Sequence, residues 1–461
     1  MTTPAPEPPT VDAVVVGGGL SGLTCALRLQ QASRSVVLLE ARDRVGGRTL
    51  NAPIGDGQIV EVGGQWAGPA HQHVVALAAE VGIRTFPTHI EGRHLYAIGD
   101  RVSAYRGHVP RRTPIGLVDY RLAQARLERL AATIDLAAPQ DHPRADAWDR
   151  QTAQTWIDRR MRTRSGRELM RLAVNAVLAA EPREMSLLHW LYYLKVGRGL
   201  NALIRTRGGY QQDRFVGGSQ EIAERVAALL GDAVVRASPV RRIEQRPDGV
   251  LVTGDRRTVR AGRVVVAVPP AVTGAIEFEP DLPGGRYQLG HRMHHGAVTK
   301  VNLVYSRPFW RDAGLSGHAL LPGGPVKMTF DNSPPGDGRG VLLAFLLADD
   351  ARRLQAVPAA ERQARVIEQL TRLFGPDAGR PDQYHEHSWT DERWSHGCYC
   401  GFFPPGGWTT FGAILRQPAG AIHWAAAETA TDGFGSMDGA VLAGERAARE
   451  VLSPTPSSAR R

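Results

Sequence analysis

Residues 12–22 of this chain, DAVVVGGGLSG, carry the pattern that decides its fold. The apolar run at 13–16 predicts a strand that is buried on both faces. Gly17, Gly19 and Gly22 then follow at the G-x-G-x-x-G spacing, where a helix should begin. In such a turn the first glycine makes a tight bend, the second lets the backbone approach a pyrophosphate, and the third lets helix and strand pack closely. The stretch therefore predicts a phosphate-binding turn at a helix N-terminus.

The sequence after this turn completes a βαβ unit. Residues 20–30 continue as a helix with one apolar face, and Val36–Leu39 form a second buried strand that ends at Glu40. An acidic residue about twenty positions beyond the glycines is suited to the hydroxyls of an adenosine ribose. A plain glycine turn is the alternative in a chain with 51 glycines. The combination favours a site for the ADP part of a dinucleotide, with NAD and FAD both open.

The composition predicts a globular protein of two domains without a membrane span. A chain of 461 residues is too long for one ordinary core, and it contains no run of about eighteen apolar residues. The Pro-rich start does not resemble a signal peptide, and three cysteines do not make a disulfide framework, so we expect a cytoplasmic protein. Residues 454–461 are expected to form a disordered tail.

The net charge of +10 comes mostly from arginine, since the chain has only three lysines, Lys195, Lys300 and Lys327. Basic residues are scattered among acidic ones, and no basic block is interleaved with aromatic residues, so nucleic-acid binding is not expected. Histidine pairs at 71/73 and 385/387 could mimic metal ligands. No carboxylate-rich motif accompanies them, so no metal site is expected.

Two further glycine pairs follow the βαβ unit, in GGR at 46–48 and GGQW at 63–66. Paired glycines let the backbone approach a ligand, an arginine can neutralise phosphate, and a tryptophan can border a ring. Each motif alone could be a surface turn. Three such turns within the first seventy residues favour one extended cofactor.

The predicted secondary structure changes twice in the middle of the chain. Residues 73–210 predict an inserted helical domain, with one-sided apolar stripes at 121–136 and 167–178. Alternating strands and helices then return, with a helix that opens at Gly217 and Gly218, a strand over 234–243 and a buried strand in RVVVAVPP. The dinucleotide-binding domain is therefore expected to resume after the insertion.

The segment AVTKVNLVYSRPFW predicts a strand that places Val298, Lys300, Asn302 and Val304 on one face. A lysine in mid-strand is most often an edge or solvent-facing residue. Two observations favour a buried role instead: its neighbours on that face are mostly apolar, and lysine is rare in this arginine-rich chain.

Several later residues carry weaker signals. Met328 and Phe345 lie in further predicted strands, where core packing and a substrate cavity are equally open. The C-x-C pair of Cys398 and Cys400 has no second pair to complete a metal site. A helix that begins near Met437 offers the partial positive charge of its N-terminus to an electron-rich ring.

Together these motifs resemble the flavin-containing amine oxidases, closest to the monoamine oxidases and their soluble bacterial relatives. The motifs run in order from VVVGGGLSGL through LLEARDRVGGRT, GGQWAGP, QDRFVGGS, VAVPP, TKVNLVYSRPFW and GCYCGFFPPGG to AAAETATDGFGSMDGAVLAGERAARE. The resemblance implies FAD rather than NAD. It also implies an α/β fold, with a doubly wound, Rossmann-type FAD-binding domain and an inserted substrate domain of mixed sheet and helices. The expected limits are 1–79, 211–285 and 392–453 for the first domain, and 80–210 and 286–391 for the second.

The resemblance assigns residues to the cofactor. The expected cofactor-binding residues are Gly17, Gly19, Gly22, Glu40, Arg42, Gly47, Arg48, Gly64, Gln65, Trp66, Val240, Trp389, Cys398, Glu428 and Met437. Glu40 is similar to the ribose ligand, and Lys300, the expected catalytic residue, to the family lysine that holds a water against flavin N5. Cys398 stands where the mitochondrial enzymes link the flavin 8α-methyl group to sulfur, and a small buried cysteine without that link is the alternative.

The resemblance also assigns the substrate cavity and shows where the chain departs from the family. The expected substrate-binding residues are Gln211, Met328, Phe345, Tyr399 and Ser436. Tyr399 is similar to one wall of the two-tyrosine cage around the amine, whereas Ser436 stands where the second tyrosine is usual. A half-open cage of this kind should accept a bulkier amine or a different approach of the amine.

The reaction implied by the resemblance is oxidation of an amine CH–NH bond by hydride transfer to flavin N5. The imine hydrolyses to a carbonyl compound, and O2 is reduced to H2O2. The alternatives are an amine dehydrogenase of the same fold with a protein electron acceptor, a C–C desaturase or porphyrinogen-type oxidase, and a non-catalytic flavin-binding protein. The expected partners are a small-molecule amine and O2, with no nucleic acid and no membrane, and a homodimer stays open.

Overall fold

The computed structural model describes residues 8–107, 110, 114–336 and 338–453, so the predicted tail at 454–461 lies outside the described residues. The chain divides into two compact units. The first contains 1–47, 221–291 and 413–461, and the second contains 48–220 and 292–412. A division by compactness does not identify what each unit binds, and the predicted limits of the FAD-binding and substrate-binding domains stay a prediction.

The first unit is built around an eight-stranded sheet with helices. Its strands, labelled in chain order, are β1 (Thr10–Val16), β2 (Val36–Leu39), β10 (Val234–Val235), β11 (Val240–Arg246), β12 (Gly249–Gly254), β13 (Thr258–Val266), β14 (Glu277–Glu279) and β22 (Ile422–Trp424). Its helices are α1 (Leu20–Gln31), α9 (Ser219–Leu230), α10 (Gly284–Arg292) and α15 (Met437–Leu452). The sheet has the order β10-β2-β1-β13-β12-β11-β14, with β22 also paired to β13.

The parallel part of this sheet explains its sequence. Strand β1 pairs in parallel with β2 on one side and with β13 on the other. Both faces of such strands are covered, which selects the uninterrupted valine and leucine runs that the sequence shows. The predicted α/β fold with a Rossmann-type domain is confirmed.

The second unit contains a seven-stranded sheet, three small sheets and the remaining helices. The large sheet has the order β20-β16-β19-β18-β17-β7-β8, formed by β7 (Arg93–Ile98), β8 (Arg101–Tyr105), β16 (Val298–Tyr305), β17 (Leu315–Leu320), β18 (Met328–Asp331), β19 (Gly340–Leu347) and β20 (Gln383–Ser388). The small sheets are formed by β3 (Asn51–Gly55), β4 (Gln58–Glu61), β5 (Trp66–Ala67), β6 (Thr85–Pro87), β9 (Asp213–Phe215), β15 (His294–His295) and β21 (Gly401–Phe402).

The remaining helices of the chain lie in the second unit. They are α2 (Gln72–Glu80), α3 (Pro114–Ala132), α4 (Ala145–Asp149), α5 (Ala153–Arg160), α6 (Arg164–Leu178), α7 (Leu187–Val196), α8 (Leu200–Ile204), α11 (Phe309–Asp312), α12 (Ala348–Gln355), α13 (Ala359–Phe374) and α14 (Gly407–Phe411). Strand β16 is buried along its whole length because β19 and β20 flank it. Among the described residues, no helix is both long and apolar enough to cross a membrane.

Three details of the sequence prediction are wrong. The strand predicted over 234–243 is two strands, because the chain turns at Ala237, whose φ is +52°, and at Pro239. The segment 73–210 is not purely helical, since its β7–β8 hairpin joins the large sheet. The apolar stripe predicted at 121–136, which includes Leu122 and Leu127, is not one-sided: Leu122 is 67% exposed and Leu127 is 1% exposed, because five residues rotate a helical side chain to another face.

Candidate active site

Close contacts in the glycine turn of the first unit leave no room for a side chain at Gly17 or Gly22. The Gly17 N–H donates to the Leu39 carbonyl at 2.8 Å, and the φ of Gly17 is +105°. A Cβ atom on Gly22 would lie 1.9 Å from the Gly17 carbonyl oxygen. Gly19 is the N-cap residue of helix α1 and gives the helix no side-chain hydrogen bond. The turn therefore presents backbone rather than side chains at a helix N-terminus, which fits a pyrophosphate.

Glu40 is the charged residue of this turn. Its carboxylate accepts the Gly18 N–H at 2.5 Å and the Arg42 N–H at 2.8 Å, one on each oxygen, and the residue is 3% exposed. An ionised carboxylate has about four lone-pair sites, so each oxygen can accept a further donor. The arrangement fits the hydroxyl groups of an adenosine ribose.

The other predicted residues of the first unit lie in its loops and element ends. Gly47 has a φ of +58°, and a Cβ there would approach the Gly19 Cα to 3.1 Å. Val240 begins β11, and Glu428 is fully buried in a 3₁₀ turn. Met437 is the first residue of α15.

Ser436 is the cap of helix α15. Its hydroxyl accepts the Gly439 N–H at 3.0 Å and donates to the Gly433 carbonyl at 2.6 Å. A serine suits this position because its short hydroxyl satisfies an otherwise unpaired N–H of the first turn. The residue that replaces the usual tyrosine therefore has a structural use in its own loop.

In the second unit, Lys300 lies buried on the central strand β16. Its Nζ donates to the Gly63 carbonyl at 2.7 Å and to Gln65 Oε1 at 2.5 Å, and the residue is 3% exposed. Burial lowers the pKa of Lys300 to about 7, against the opposing attraction of the Glu61 carboxylate. The edge or solvent-facing position that is usual for a strand lysine is thereby excluded.

Aromatic rings surround the lysine. The Trp66 and Phe345 ring centres lie 5.9 Å and 5.6 Å from Lys300 Nζ, and Phe345 is its cross-strand neighbour on β19. The Trp66 ring also packs on Phe330 at 4.9 Å, and Phe345 packs on Tyr399 at 6.3 Å. Met328 lies opposite Phe345 on β18 and belongs to the same buried apolar cluster. We call these six side chains the lysine pocket: Trp66, Lys300, Met328, Phe330, Phe345 and Tyr399.

The segment that carries Tyr399 is tied to the second glycine pair. Arg48 donates to the Tyr399 carbonyl at 3.1 Å and accepts the Gly64 N–H on its own carbonyl at 3.0 Å. Cys398 is 6% exposed, and its N–H donates to the Gly296 carbonyl at 3.0 Å.

Two predicted residues have other immediate partners. Trp389 is 1% exposed and donates its indole N–H to the Val62 carbonyl at 2.7 Å. Gln211 donates to the Leu203 carbonyl at 2.8 Å, while its Oε1 is buried without a partner among the described residues. The structure therefore groups Gln65, Arg48 and the lysine pocket, whereas Gln211 is anchored to α8.

Sequence reasoning missed the polar residues behind Lys300. Asn302, Asn332 and the buried ion pair of Glu61 with Arg214 lie 0–3% exposed in this region. Only Asn302 carried a usable signal, because strand alternation places it on the face of Lys300. The others come from β4, β9 and the end of β18, and no local pattern marks them.

Known proteins resemble this chain over nearly its whole length. The sequence model of the family described as flavin containing amine oxidoreductase matches residues 20–452. A protein of Mycobacterium tuberculosis named as a flavin-containing monoamine oxidase, AofH, is 41% identical over 454 residues, which cover 98% of this chain and 99% of that protein.

Solved structures give the same result. A putrescine oxidase bound to putrescine is similar with a TM-score of 0.93 and 32% identity, over 96% of this chain and 99% of that one. The cyclohexylamine oxidase of Brevibacterium oxydans is similar with a TM-score of 0.92 and 33% identity, over the same shares of the two chains.

Proposed function

Because this chain belongs to the flavin containing amine oxidoreductase family, we propose that it oxidises the CH–NH bond of a small-molecule amine. When bound, FAD would supply a two-electron acceptor at N5: the amine would lose a hydride and become an imine that hydrolyses to a carbonyl compound, and O2 would be reduced to H2O2. The observation that carries the proposal is Lys300, held inside a pocket of aromatic and apolar side chains.

In this proposal the first unit holds the ADP part of FAD. Its glycine turn takes the pyrophosphate, and Glu40 takes the ribose, with Arg42, Gly47 and Val240 around them. Glu428 would contact the ribityl chain or the pyrophosphate, and the helix N-terminus at Met437 would offer partial positive charge to the flavin ring. The support is steric and electrostatic, because the turn has no room for a Cβ atom at Gly17 or Gly22, and each oxygen of Glu40 can accept a further hydrogen bond.

The second unit takes the amine and supplies Arg48 on the phosphate side of FAD. Its other cofactor residues are Gly64, Gln65, Trp66, Trp389 and Cys398. The lysine pocket favours a neutral amine, since burial of an ammonium ion among apolar side chains is costly. Lys300 is compatible with this, because its pKa of about 7 leaves it mostly uncharged above neutral pH. Its role is to hold a water for hydride transfer or for reoxidation.

The pocket also favours one class of amine. In this proposal the amine lies against Met328, Phe330, Phe345 and Tyr399, which pack in one buried apolar cluster. An amine with an apolar ring or chain gains from this surface, whereas a diamine must bury a second polar end there. We therefore expect cyclohexylamine to be a better substrate than putrescine, although the solved relatives include an oxidase named for each.

Anaerobic titration of the FAD-loaded protein with a panel of amines tests the proposal. The panel contains cyclohexylamine, benzylamine, a secondary amine, putrescine and an amino acid. Bleaching of the flavin absorbance by apolar amines first, and by putrescine only at higher concentration, is the expected result. A flavin that no amine bleaches would point to a non-catalytic flavin protein. In air, one H2O2 for each amine consumed distinguishes an oxidase from a dehydrogenase with a protein acceptor.

Covalent attachment of FAD through Cys398 is a separate part of the proposal. Acid precipitation of the wild type should leave the yellow colour in the pellet, and Cys398→Ala should release it into the supernatant. Cys400→Ala is the matched control, since Cys400 is also buried and lies two residues away. Complete release of colour from the wild type excludes the thioether. A cytoplasmic location and a homodimeric assembly stay predictions.

A further inference from the structure

Three buried carboxamides connect Lys300 to a backbone carbonyl on β4. Gln65 accepts from Lys300 at 2.5 Å and donates to Asn332 Oδ1 at 2.7 Å. Asn332 donates to Asn302 Oδ1 at 2.9 Å, and Asn302 donates to the Glu61 carbonyl at 3.2 Å. We call Gln65, Asn332 and Asn302 the carboxamide chain, and its members are 0–2% exposed.

The direction of the carboxamide chain is set at its far end. A backbone carbonyl can only accept, so Asn302 must turn its NH2 group toward Glu61 and its oxygen toward Asn332. Asn332 must then donate to Asn302 and offer its own oxygen to Gln65. By the same rule Gln65 must offer Oε1 to Lys300. A carbonyl four hydrogen bonds away thus determines that Lys300 faces an acceptor.

The orientation of the carboxamide chain determines which hydrogen or lone pair of Lys300 Nζ is left for a further partner. The Gly63 carbonyl and Gln65 Oε1 take two hydrogens from Nζ. A neutral amine has two hydrogens, so its lone pair is left over, whereas the ammonium form has one N–H left over. The Gly63 backbone packs closely on the preceding segment, because its N–H donates to the Leu50 carbonyl at 3.2 Å and a Cβ there would lie 2.5 Å from the Arg48 carbonyl oxygen.

An ion pair anchors the backbone of the carboxamide chain. Arg214 donates to Glu61 Oε2 at 2.5 Å and to the carbonyls of Asn332 and Ser333 at 3.0 Å and 3.1 Å. Arg214 is 3% exposed and Glu61 is fully buried at the side chain, so neither has water as an alternative partner. The same guanidinium therefore holds the backbone of Asn332, the middle member of the carboxamide chain, and the side chain of Glu61, whose backbone carbonyl accepts from Asn302.

We propose that Asn332 and Asn302 are positioning residues for Lys300. By orienting Gln65 they hold Lys300 as a double donor, so that its remaining Nζ position is the one presented to the water and the amine. The inference deepens the proposed function and rests on the role given there to Lys300.

The proposal predicts how the pKa of Lys300 changes when the carboxamide chain is interrupted. The charged and titratable groups around Lys300 are Glu61 on β4, Arg214 on β9 and Cys398. His387 on β20 is the cross-strand neighbour of Lys300, and Tyr399 belongs to the lysine pocket. A fixed acceptor at Gln65 favours the ammonium form. If the carboxamide chain is cut, Gln65 can turn its NH2 group toward Lys300 or move away, and either change disfavours that form. The pKa of Lys300 should then fall below its wild-type value.

Lysine NMR measures this directly, because the chain has only three lysines. The FAD-loaded protein labelled with 13C at lysine Cε should give three signals, and the signal lost in Lys300→Met identifies Lys300. Asn332→Leu should lower the pKa of Lys300 by about 1, and Asn302→Leu should lower it by less, because only the far end of the chain is removed. Gln124→Leu is the matched control, since Gln124 is a buried carboxamide on α3 that bonds Glu128.

An unchanged pKa of Lys300 in the folded Asn332→Leu variant overturns the inference. If Asn332→Leu does not fold, Asn302→Leu decides by the same criterion. Anaerobic flavin reduction gives the second readout: both variants should slow it, about tenfold for Asn332→Leu, and shift its pH profile in the direction of the NMR titration. A lowered pKa in a protein that no amine reduces would support the carboxamide chain and reject the proposed function instead.

Discussion

The glycine turn of the first unit and the lysine pocket of the second solve opposite problems. The turn removes side chains so that backbone N–H groups can meet a ligand, and its parts lie within 17–22 and at Glu40. The pocket is lined by side chains from segments that are far apart in sequence, and it buries an ionisable group among them. The glycine turn depends on steric limits between residues close in sequence. The lysine pocket depends on tertiary packing, which must give every buried polar group a hydrogen-bond partner other than water.

The largest loss of stability is expected for a substitution at Gly22, where the backbones of α1 and of the turn after β1 are in contact. Gly22→Ala would place a Cβ 1.9 Å from the Gly17 carbonyl oxygen, so β1 and α1 must separate. We expect a loss of more than about 5 kcal/mol in the free energy of unfolding, or failure to fold with FAD bound. Gly284→Ala is the control in the same unit, because a Cβ there meets nothing within 4 Å. Equal urea midpoints for the two variants would contradict the steric account.

The same contrast explains how much the sequence could predict. The glycine spacing, the valine run of β1 and the strand Val36–Leu39 are local patterns, and they predicted the βαβ unit to within a few residues of its bounds. Alternation along β16 predicted that Lys300 and Asn302 share a face. The partners of that face could not be predicted, since Glu61 and Asn332 come from other strands and nothing in their own segments marks them.

The break between β10 and β11 is a related case. The residues of 234–243 have strand character at both ends, and the turn depends on Ala237 in the left-handed region, a conformation that alanine rarely adopts. The Ala237 N–H donates to the Arg42 carbonyl at 2.7 Å, and the Ser238 N–H donates to the Glu40 carbonyl at 2.8 Å. Tertiary hydrogen bonds to the segment after β2 therefore stabilise a turn that sequence patterns alone did not reveal.

The second largest effect is expected at the ion pair behind the lysine pocket. Glu61→Leu leaves the Arg214 guanidinium charged and buried, so we expect a loss of about 3 to 5 kcal/mol in the free energy of unfolding. The exposed pair of Arg207 and Glu91 supplies the control, since both side chains are about three-quarters exposed and Glu91→Leu should cost less than about 1 kcal/mol. Urea unfolding of both variants makes the comparison, and similar losses would show that burial is not the reason.

Over a single pH unit, a smaller effect is expected in the free energy of unfolding as the pH changes. Lys300 has a pKa of about 7 in the folded protein and 10.5 as its ordinary value, so between these values the unfolded chain binds more protons. Stability from this group therefore rises with pH over that window, by about 1.4 kcal/mol per pH unit, and is constant below it. The difference in unfolding free energy between wild type and Lys300→Met should show this slope between about pH 7 and pH 10. A difference that does not vary with pH would mean that Lys300 titrates normally.

The central claim is that Lys300, held in its pocket, serves the oxidation of an amine. Stopped-flow measurement of flavin reduction by an amine and of reoxidation by O2 tests it in Lys300→Met, with Lys195→Met as the control because Lys195 only donates to the Ala132 carbonyl at a part-exposed position. We expect at least one half-reaction to slow by about tenfold or more in Lys300→Met, and neither to change in Lys195→Met. Unchanged rates of both half-reactions in Lys300→Met would contradict the account.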